Sequence, residues 1–302
     1  MKDLRLHGLV AATHTPFHTD GELNLAVVEA QALHLARNGV NLVFIGGSTG
    51  ESHSLSLEER VQLAERWAQV APSHGLQLVV HVGTNCLRDA RNLAEHAEKL
   101  GAAAISALAP SYFKPRSLDV LIDCCEKIAG GTPGTPFYFY DIPVLTGVNF
   151  SMPEFLAKAG PRIPNLAGIK FTNPDLMAYQ TCLQTGFDVP WGIDESFLGA
   201  LAVGAKGAVG SSYNFAAPVY HRLMAAFQAG DFEAARREQL RSVRLVETLA
   251  AYGYMAAAKA TMGFLGVEVG PPRLPNASLA AGQPEELRRK LEAIGFFEWG
   301  VA

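Results

Sequence analysis

An α/β fold, a closed (β/α)8 TIM barrel with a C-terminal helical extension, is what this sequence predicts. Three observations carry the prediction. Between residues 6 and 228, short apolar runs alternate eight times with segments of helical spacing. Strands that alternate with helices pair in parallel through right-handed crossovers. The chain has 302 residues, 49% of them hydrophobic, enough for the core of one such barrel. The runner-up architecture, an open doubly wound sheet, wants GxGxxG after its first strand; Ala11-Ala12-Thr13-His14 stands there instead.

The elements follow in order. Leu6 to Thr13 is an apolar run that ends at Thr15-Pro16, the first strand. Asn24 to Arg37 has helical spacing and stops at Asn38-Gly39, where glycine is the expected terminator. Asn41–Ile45 is the second strand, followed by Gly46-Gly47-Ser48-Thr49-Gly50-Glu51. Ser56 with Glu59 forms a capping box for a helix over Leu57–Val70. Strands at Leu76–Val82 and Ala102–Leu108 precede helices at Arg88–Leu100 and Leu118–Ala129. The aromatic strand Pro136–Tyr140 leads to a helix Met152–Ala159 capped by Ser151. Leu166–Thr172 is the sixth strand, with a helix from Asp175 to Leu183. Phe187–Ile193 and Gly207–Ser211 are the last two strands, with helices at Ser196–Val203 and Pro218–Gln228. The barrel thus occupies 1–228. Residues 229–302 form the extension, with helices at Phe232–Tyr252, Tyr254–Leu265 and Pro284–Ile294; both regions are expected to act as one functional domain.

Composition narrows the function classes. The net charge is −4 with no basic block, which argues against nucleic acid as a partner. No stretch approaches the roughly 20 apolar residues of a membrane span. The apolar run near Lys2 and Arg5 is broken by His7, Gly8, Thr13 and His14, unlike a signal peptide. Four cysteines without a CxxC, and nine scattered histidines without HExxH, suggest a reduced, cytoplasmic protein without a metal site.

The sixth strand carries the sharpest chemical signal. Lys170 sits inside Leu166-Ala167-Gly168-Ile169-Lys170-Phe171-Thr172. Burial disfavours the ammonium form and can bring a lysine pKa from about 10.4 towards 7–8. A neutral amine attacks ketones and forms a Schiff base. The competing reading is a lysine that snorkels outward or pairs with a carboxylate. In barrels of this kind the active site lies at the C-terminal strand ends. The polar residues there are Ser48, Thr49, Tyr140, Lys170, Thr172, Asp194, Glu195 and Ser211. The loop Gly46–Gly50 can bring backbone N–H groups close to an anion such as a carboxylate, or be an ordinary tight turn. Tyr140 shares a strand face with Tyr138 and is either a proton donor near the lysine or a packing aromatic. Asp194-Glu195 can accept bonds from sugar hydroxyls or support a helix N-terminus. Gly207–Ser212 is similar to a phosphate loop, but without a following basic residue it reads as close backbone packing.

Taken together, the segments Gly46–Glu51, Tyr140-Asp141-Ile142-Pro143 and Gly168–Thr172 resemble the dihydrodipicolinate synthase / N-acetylneuraminate lyase family of pyruvate-dependent class I aldolases, over essentially the whole chain. The resemblance implies Lys170 as the Schiff-base nucleophile and Tyr140 as the proton shuttle. It implies Ser48 and Thr49 as carboxylate ligands, and Thr172, Gly192, Asp194, Glu195 and Ser211 as ligands of a hydroxylated tail. Synthase members usually carry an arginine two residues after the tyrosine motif's proline; here Leu145 follows Pro143-Val144. Trp191–Glu195 and Gly207–Asn214 are similar to the lyase branch's glycerol-binding segments. That branch implies cleavage of the sialic acid N-acetylneuraminate to N-acetylmannosamine and pyruvate, without metal or dissociable cofactor, by a homotetramer. Tyr112 stands where some relatives reach a neighbouring subunit. Asp141, where relatives more often carry Asn or His, is expected to face away from Tyr140 and to affect packing rather than chemistry. Alternatives are a 2-keto-3-deoxy sugar-acid aldolase, a dihydrodipicolinate synthase, a non-catalytic keto-acid binder and a phosphate-binding barrel isomerase.

Overall fold

A computed structural model describes residues 4–300. Positions 1–3 and 301–302, the outer ends of the two expected regions and including Lys2, lie outside the described residues. Seven regular strands form a parallel sheet: β1 (Gly8–Ala12), β2 (Leu42–Ile45), β3 (Gln77–His81), β4 (Ala104–Leu108), β5 (Phe137–Asp141), β6 (Leu166–Phe171) and β7 (Gly207–Gly210). Their order is β6-β5-β4-β3-β2-β1-β7, and all the pairings are parallel.

The expected strand Phe187–Ile193 is not a regular strand, yet this segment fills the gap between β6 and β7. Asp188 N–H donates to Ala167 O at 3.0 Å, and Ile169 N–H to Asp188 O at 3.0 Å. Trp191 N–H donates to Gly207 O at 3.0 Å, and Val209 N–H to Trp191 O at 2.8 Å. Pro190 has no N–H to donate, so the ladder cannot run unbroken; isolated bridges at Asp188 and Trp191 carry the pairing. Gly168 permits the close approach: a Cβ there would lie 1.7 Å from Asp188 O. The result is a ring of eight segments, a (β/α)8 barrel.

Side-chain alternation along the strands divides the core in two. Val10, Ala12, Leu42, Phe44, Val79, Leu108, Tyr138, Tyr140 and Val209 fill the lumen. Leu9, Ala11, Val43, Ile45, Ile105, Phe139 and Ile169 face the helices, where Trp67, Leu93, Ile122, Phe155 and Tyr220 meet them. Apart from buried polar residues such as His81, Ser106 and Lys170, both faces of the strands are therefore largely apolar, as a buried parallel sheet requires.

Helices with local stop and start signals match the sequence reading. The helix Leu57–Val70 has the complete Ser56/Glu59 capping box, and Ser151 caps Met152–Ala159. The first helix is Val28–Arg37, preceded by a 3-10 turn at Leu25–Val27. The helix expected from Pro218 begins earlier and spans Tyr213–Gln228, broken at Ala216 (φ −140°, ψ 22°). Pro218 would clash with the carbonyl four residues back, so the chain leaves helical geometry just ahead of it. The extension contains helices Phe232–Ala250, Tyr254–Phe264 and Gln283–Ala293, plus an unanticipated turn at Phe296–Trp299.

Candidate active site

Lys170 lies on β6 directly across the ladder from Tyr140 on β5. It is only 4% exposed, which removes the snorkelling alternative. Two rings face its amine: Nζ is 3.9 Å from the Tyr140 centroid and 4.3 Å from that of Phe44. Tyr138 and Tyr140 both point into the lumen, but at different depths. The Tyr138 hydroxyl is tied to Asp188 Oδ2 at 2.8 Å, whereas the Tyr140 hydroxyl lies 3.4 Å from Ser48 Oγ. Only Tyr140 lines the same cavity as the lysine.

The loop after β2 arches over these residues. A Cβ on Gly47 would lie 2.6 Å from the Phe44 ring, so glycine lets the loop close down on the aromatic floor. Three anchors hold it. His81 Nδ1 bonds the Gly46 carbonyl at 2.9 Å, and its Nε2 accepts from Leu108 N–H at 3.3 Å. This assigns the proton to Nδ1. Burial, with Arg60 adding to it, pushes the His81 pKa well below its usual value, so the ring is neutral. Thr15 Oγ1 donates to Gly50 O at 2.6 Å. Glu51, in the left-handed region at φ 54°, pairs with Lys259 at 2.9 Å.

The opposite wall comes from the ends of β6, the 187–193 segment and β7. Thr172 Oγ1 is buried without a hydrogen-bond partner among the described residues. Gly192 passes so close that a Cβ there would fall 1.9 Å from that hydroxyl. Asp194 Oδ2 accepts from Ser212 N–H at 2.9 Å and from Ser212 Oγ at 2.5 Å. A Cβ on Gly210 would lie 1.8 Å from Asp194 Oδ1. Burial raises the Asp194 pKa to about 6, with the Ser212 bonds opposing it. Asp194 does not cap a helix: Ile193 holds the cap position of the following 3-10 turn, which has no side-chain cap. Glu195 is exposed on the rim, and Ser211 Oγ lies 2.7 Å from the Tyr254 hydroxyl.

These groups line one cavity of about 480 Å³. It contains the nine residues that the resemblance assigned to catalysis and substrate binding: Ser48, Thr49, Tyr140, Lys170, Thr172, Gly192, Asp194, Glu195 and Ser211. A volume of this size suits a small-molecule ligand. Tyr254 and Val246, from the extension, also line it and were not anticipated, since nothing in their local sequence marks them. Glu51 could have been noted, as the acid that closes the glycine loop. Asp141 faces away from the cavity: its carboxylate accepts from Asn173 Nδ2 at 3.3 Å, and burial raises its pKa to about 7. The Gly207–Ser212 segment serves close packing, with a Gly207 Cβ falling 2.0 Å from Leu6 O. A larger hollow of about 570 Å³, lined by Leu4, Ala71, Leu78 and Leu100 among others, has no titratable side chain among the described residues. Among the described residues no cluster of three metal-ligating side chains occurs, and no helix is long and apolar enough to cross a membrane.

Comparison with known proteins gives a consistent picture. The model of the dihydrodipicolinate synthetase family matches residues 5–294. The N-acetylneuraminate lyase of Xenopus tropicalis is 39% identical over 293 residues, covering 95% of this chain and 96% of that protein. The solved structure of Proteus mirabilis N-acetylneuraminate lyase superposes with a TM-score of 0.94 at 39% identity, covering 97% of this chain and all of that one (100%). A DHDPS structure from Cyanidioschyzon merolae with lysine bound superposes with a TM-score of 0.89 at 28% identity, covering 96% and 98%.

Proposed function

The chain belongs to the dihydrodipicolinate synthetase family, and on that premise we propose that it is a class I aldolase that cleaves N-acetylneuraminate to N-acetylmannosamine and pyruvate. One observation carries the reading: a buried lysine and a tyrosine face each other on the floor of a cavity whose walls are hydroxyls and carboxylates. Curated lyases of that activity at 36–40% identity over nearly the whole chain support the choice of substrate.

In the proposed reaction, Ser48 and Thr49 hold the substrate carboxylate. Lys170 Nζ adds to the C2 ketone of the open-chain sugar acid, and the resulting hydroxyl leaves as water with the Tyr140 proton, giving an iminium and a tyrosinate. The C3–C4 bond then breaks, its electron pair flowing into the iminium to give an enamine. The proton of the C4 hydroxyl leaves to the Tyr140 oxygen, and N-acetylmannosamine departs as the aldehyde. Tyr140 returns a proton to C3, and water hydrolyses the iminium to release pyruvate and free lysine. Thr172, Gly192, Asp194, Glu195 and Ser211 bind the hydroxylated tail. Each step uses side chains of this protein alone, so the reaction needs no dissociable cofactor.

Leu145, 63% exposed, offers no charge to hold a second carboxylate and speaks against a synthase. Residues 1–228 and 229–302 act as one functional unit, a view supported by Tyr254 and Val246 in the cavity wall. The protein is further proposed to be a cytoplasmic homotetramer. Its four cysteines are free thiols, which suits a reducing compartment. Tyr112 and Phe113, 78% and 86% exposed and packed edge to face at 5.0 Å, suit a subunit contact. Sedimentation at several concentrations tests the assembly; a monomer throughout rejects it. Incubation with N-acetylneuraminate tests the activity, followed by release of pyruvate and N-acetylmannosamine. Turnover of 2-keto-3-deoxy sugar acids at a higher kcat/KM would move the assignment to that branch.

A further inference from the structure

We infer that Lys259, in the C-terminal extension, is a positioning residue that sets the carboxylate-holding loop through Glu51. The inference rests on the reading that Ser48 and Thr49 hold the substrate carboxylate. Glu51 and Lys259 are both completely withdrawn from solvent, at 0% and 1% side-chain exposure, and their ion pair spans 2.9 Å. Glu51 adopts φ 54°, a conformation uncommon for residues with a Cβ and maintained only where the surroundings hold it. Here the surroundings are its own side-chain partners. Lys259 Nζ donates to Oε1 at 2.9 Å, Arg273 N–H to Oε2 at 2.8 Å, and Asn276 Nδ2 to Oε2 at 3.4 Å. All three partners belong to the extension.

The geometry connects this tether to the site directly. Glu51 N–H donates to Ser48 O at 3.1 Å, and Ser52 N–H to Gly47 O at 3.2 Å. These two bonds close the turn that presents Ser48 and Thr49 to the cavity. A shift at Glu51 therefore moves both hydroxyls, that of Ser48 being the one beside Tyr140. Lys259 is itself held by the Pro271 carbonyl at 2.9 Å and lies 4.3 Å from the Phe17 ring centroid. The same helix begins at Tyr254, which meets Ser211 on the opposite wall. One element of the extension thus reaches both walls of the cavity.

The test is K259M/E51Q, which removes both charges with little change in size and leaves no buried charge unpaired. K259M/E51G is the companion variant, since glycine adopts positive φ without strain. The readout is borohydride trapping of a pyruvate adduct as a function of pyruvate concentration. A role in positioning predicts that half-saturation rises roughly tenfold or more in both folded variants, because misplacing binding groups by about 1 Å is costly, while the trapping rate at saturation stays close to wild type. Half-saturation within about twofold of wild type, whatever the change in thermal stability, would reduce the pair to a structural contact and overturn the inference. Absence of any adduct in the wild-type protein would instead overturn the Schiff-base reading, so the two failures are distinguishable.

Discussion

Tyr140→Phe separates proton transfer from everything else the tyrosine does. The phenylalanine ring keeps the packing against Phe44, His81 and the Lys170 amine, since those contacts are made by the ring. Only the hydroxyl is lost, and its polar contact among the described residues is Ser48 Oγ at 3.4 Å, longer than the usual O–H···O bond. The expected cost to folding is therefore small, about 0.5–1 kcal/mol at most. A positioned proton donor typically contributes about 10²–10⁴ in rate, equivalent to roughly 3–5 kcal/mol of barrier. The assay follows pyruvate release from N-acetylneuraminate at saturation, beside a thermal melt of the same preparation. The expected outcome is a kcat lower by at least about a hundredfold, a melting temperature close to wild type, and an adduct that borohydride still traps on Lys170. A folded variant whose kcat fell less than about tenfold would refute the role assigned to this hydroxyl.

Three further outcomes follow from the cavity walls and from the residue beside Tyr140. Thr172→Val replaces a buried hydroxyl without a hydrogen-bond partner among the described residues by a methyl group; stability should be unchanged or higher, while KM for the sugar acid rises about 3–10-fold through one lost hydrogen bond. Gly210→Ala places a methyl 1.8 Å from Asp194 Oδ1, so the carboxylate must move; denaturation should show a loss of about 1–3 kcal/mol from overpacking, together with a raised KM for the sugar acid but not for pyruvate in trapping. Asp141 is held protonated in the folded state up to a pKa of about 7 by burial, whereas the unfolded carboxyl ionises near 3.9. Its contribution is fully present below about pH 4 and is lost as pH rises towards 7, at up to about 1.4 kcal/mol per pH unit. Urea midpoints at pH 5 and pH 8 should therefore fall more with rising pH in the wild type than in Asp141→Asn; equal slopes would exclude Asp141 as the source.

What could be read from the sequence was local or periodic. The Ser56/Glu59 cap, the Gly39 stop and the strand around Lys170 depend on neighbours a few residues away, and each appears where the pattern put it. Alternation also placed Asp141 on the face away from Tyr140. The segment 187–193 has strand-like composition but contains Pro190, and a ladder needs an N–H that proline lacks; its pairing depends on β6 and β7, which are distant in sequence. The same holds for the site. Residues at strand ends converge because a closed barrel forces them to one mouth, and that could be reasoned in advance. Tyr254 and Lys259 reach the cavity and its loop from a helix whose docking depends on long-range packing. Nothing in their own stretch reports where that helix lands.

The central claim is that Lys170 is the Schiff-base nucleophile. The most direct measurement is borohydride reduction of the intact protein with pyruvate, followed by intact mass and peptide mapping. The account predicts one reduced pyruvyl adduct per chain, located on Lys170 and absent from Lys170→Met. An adduct on another lysine, or none in protein that still turns over N-acetylneuraminate, would contradict it.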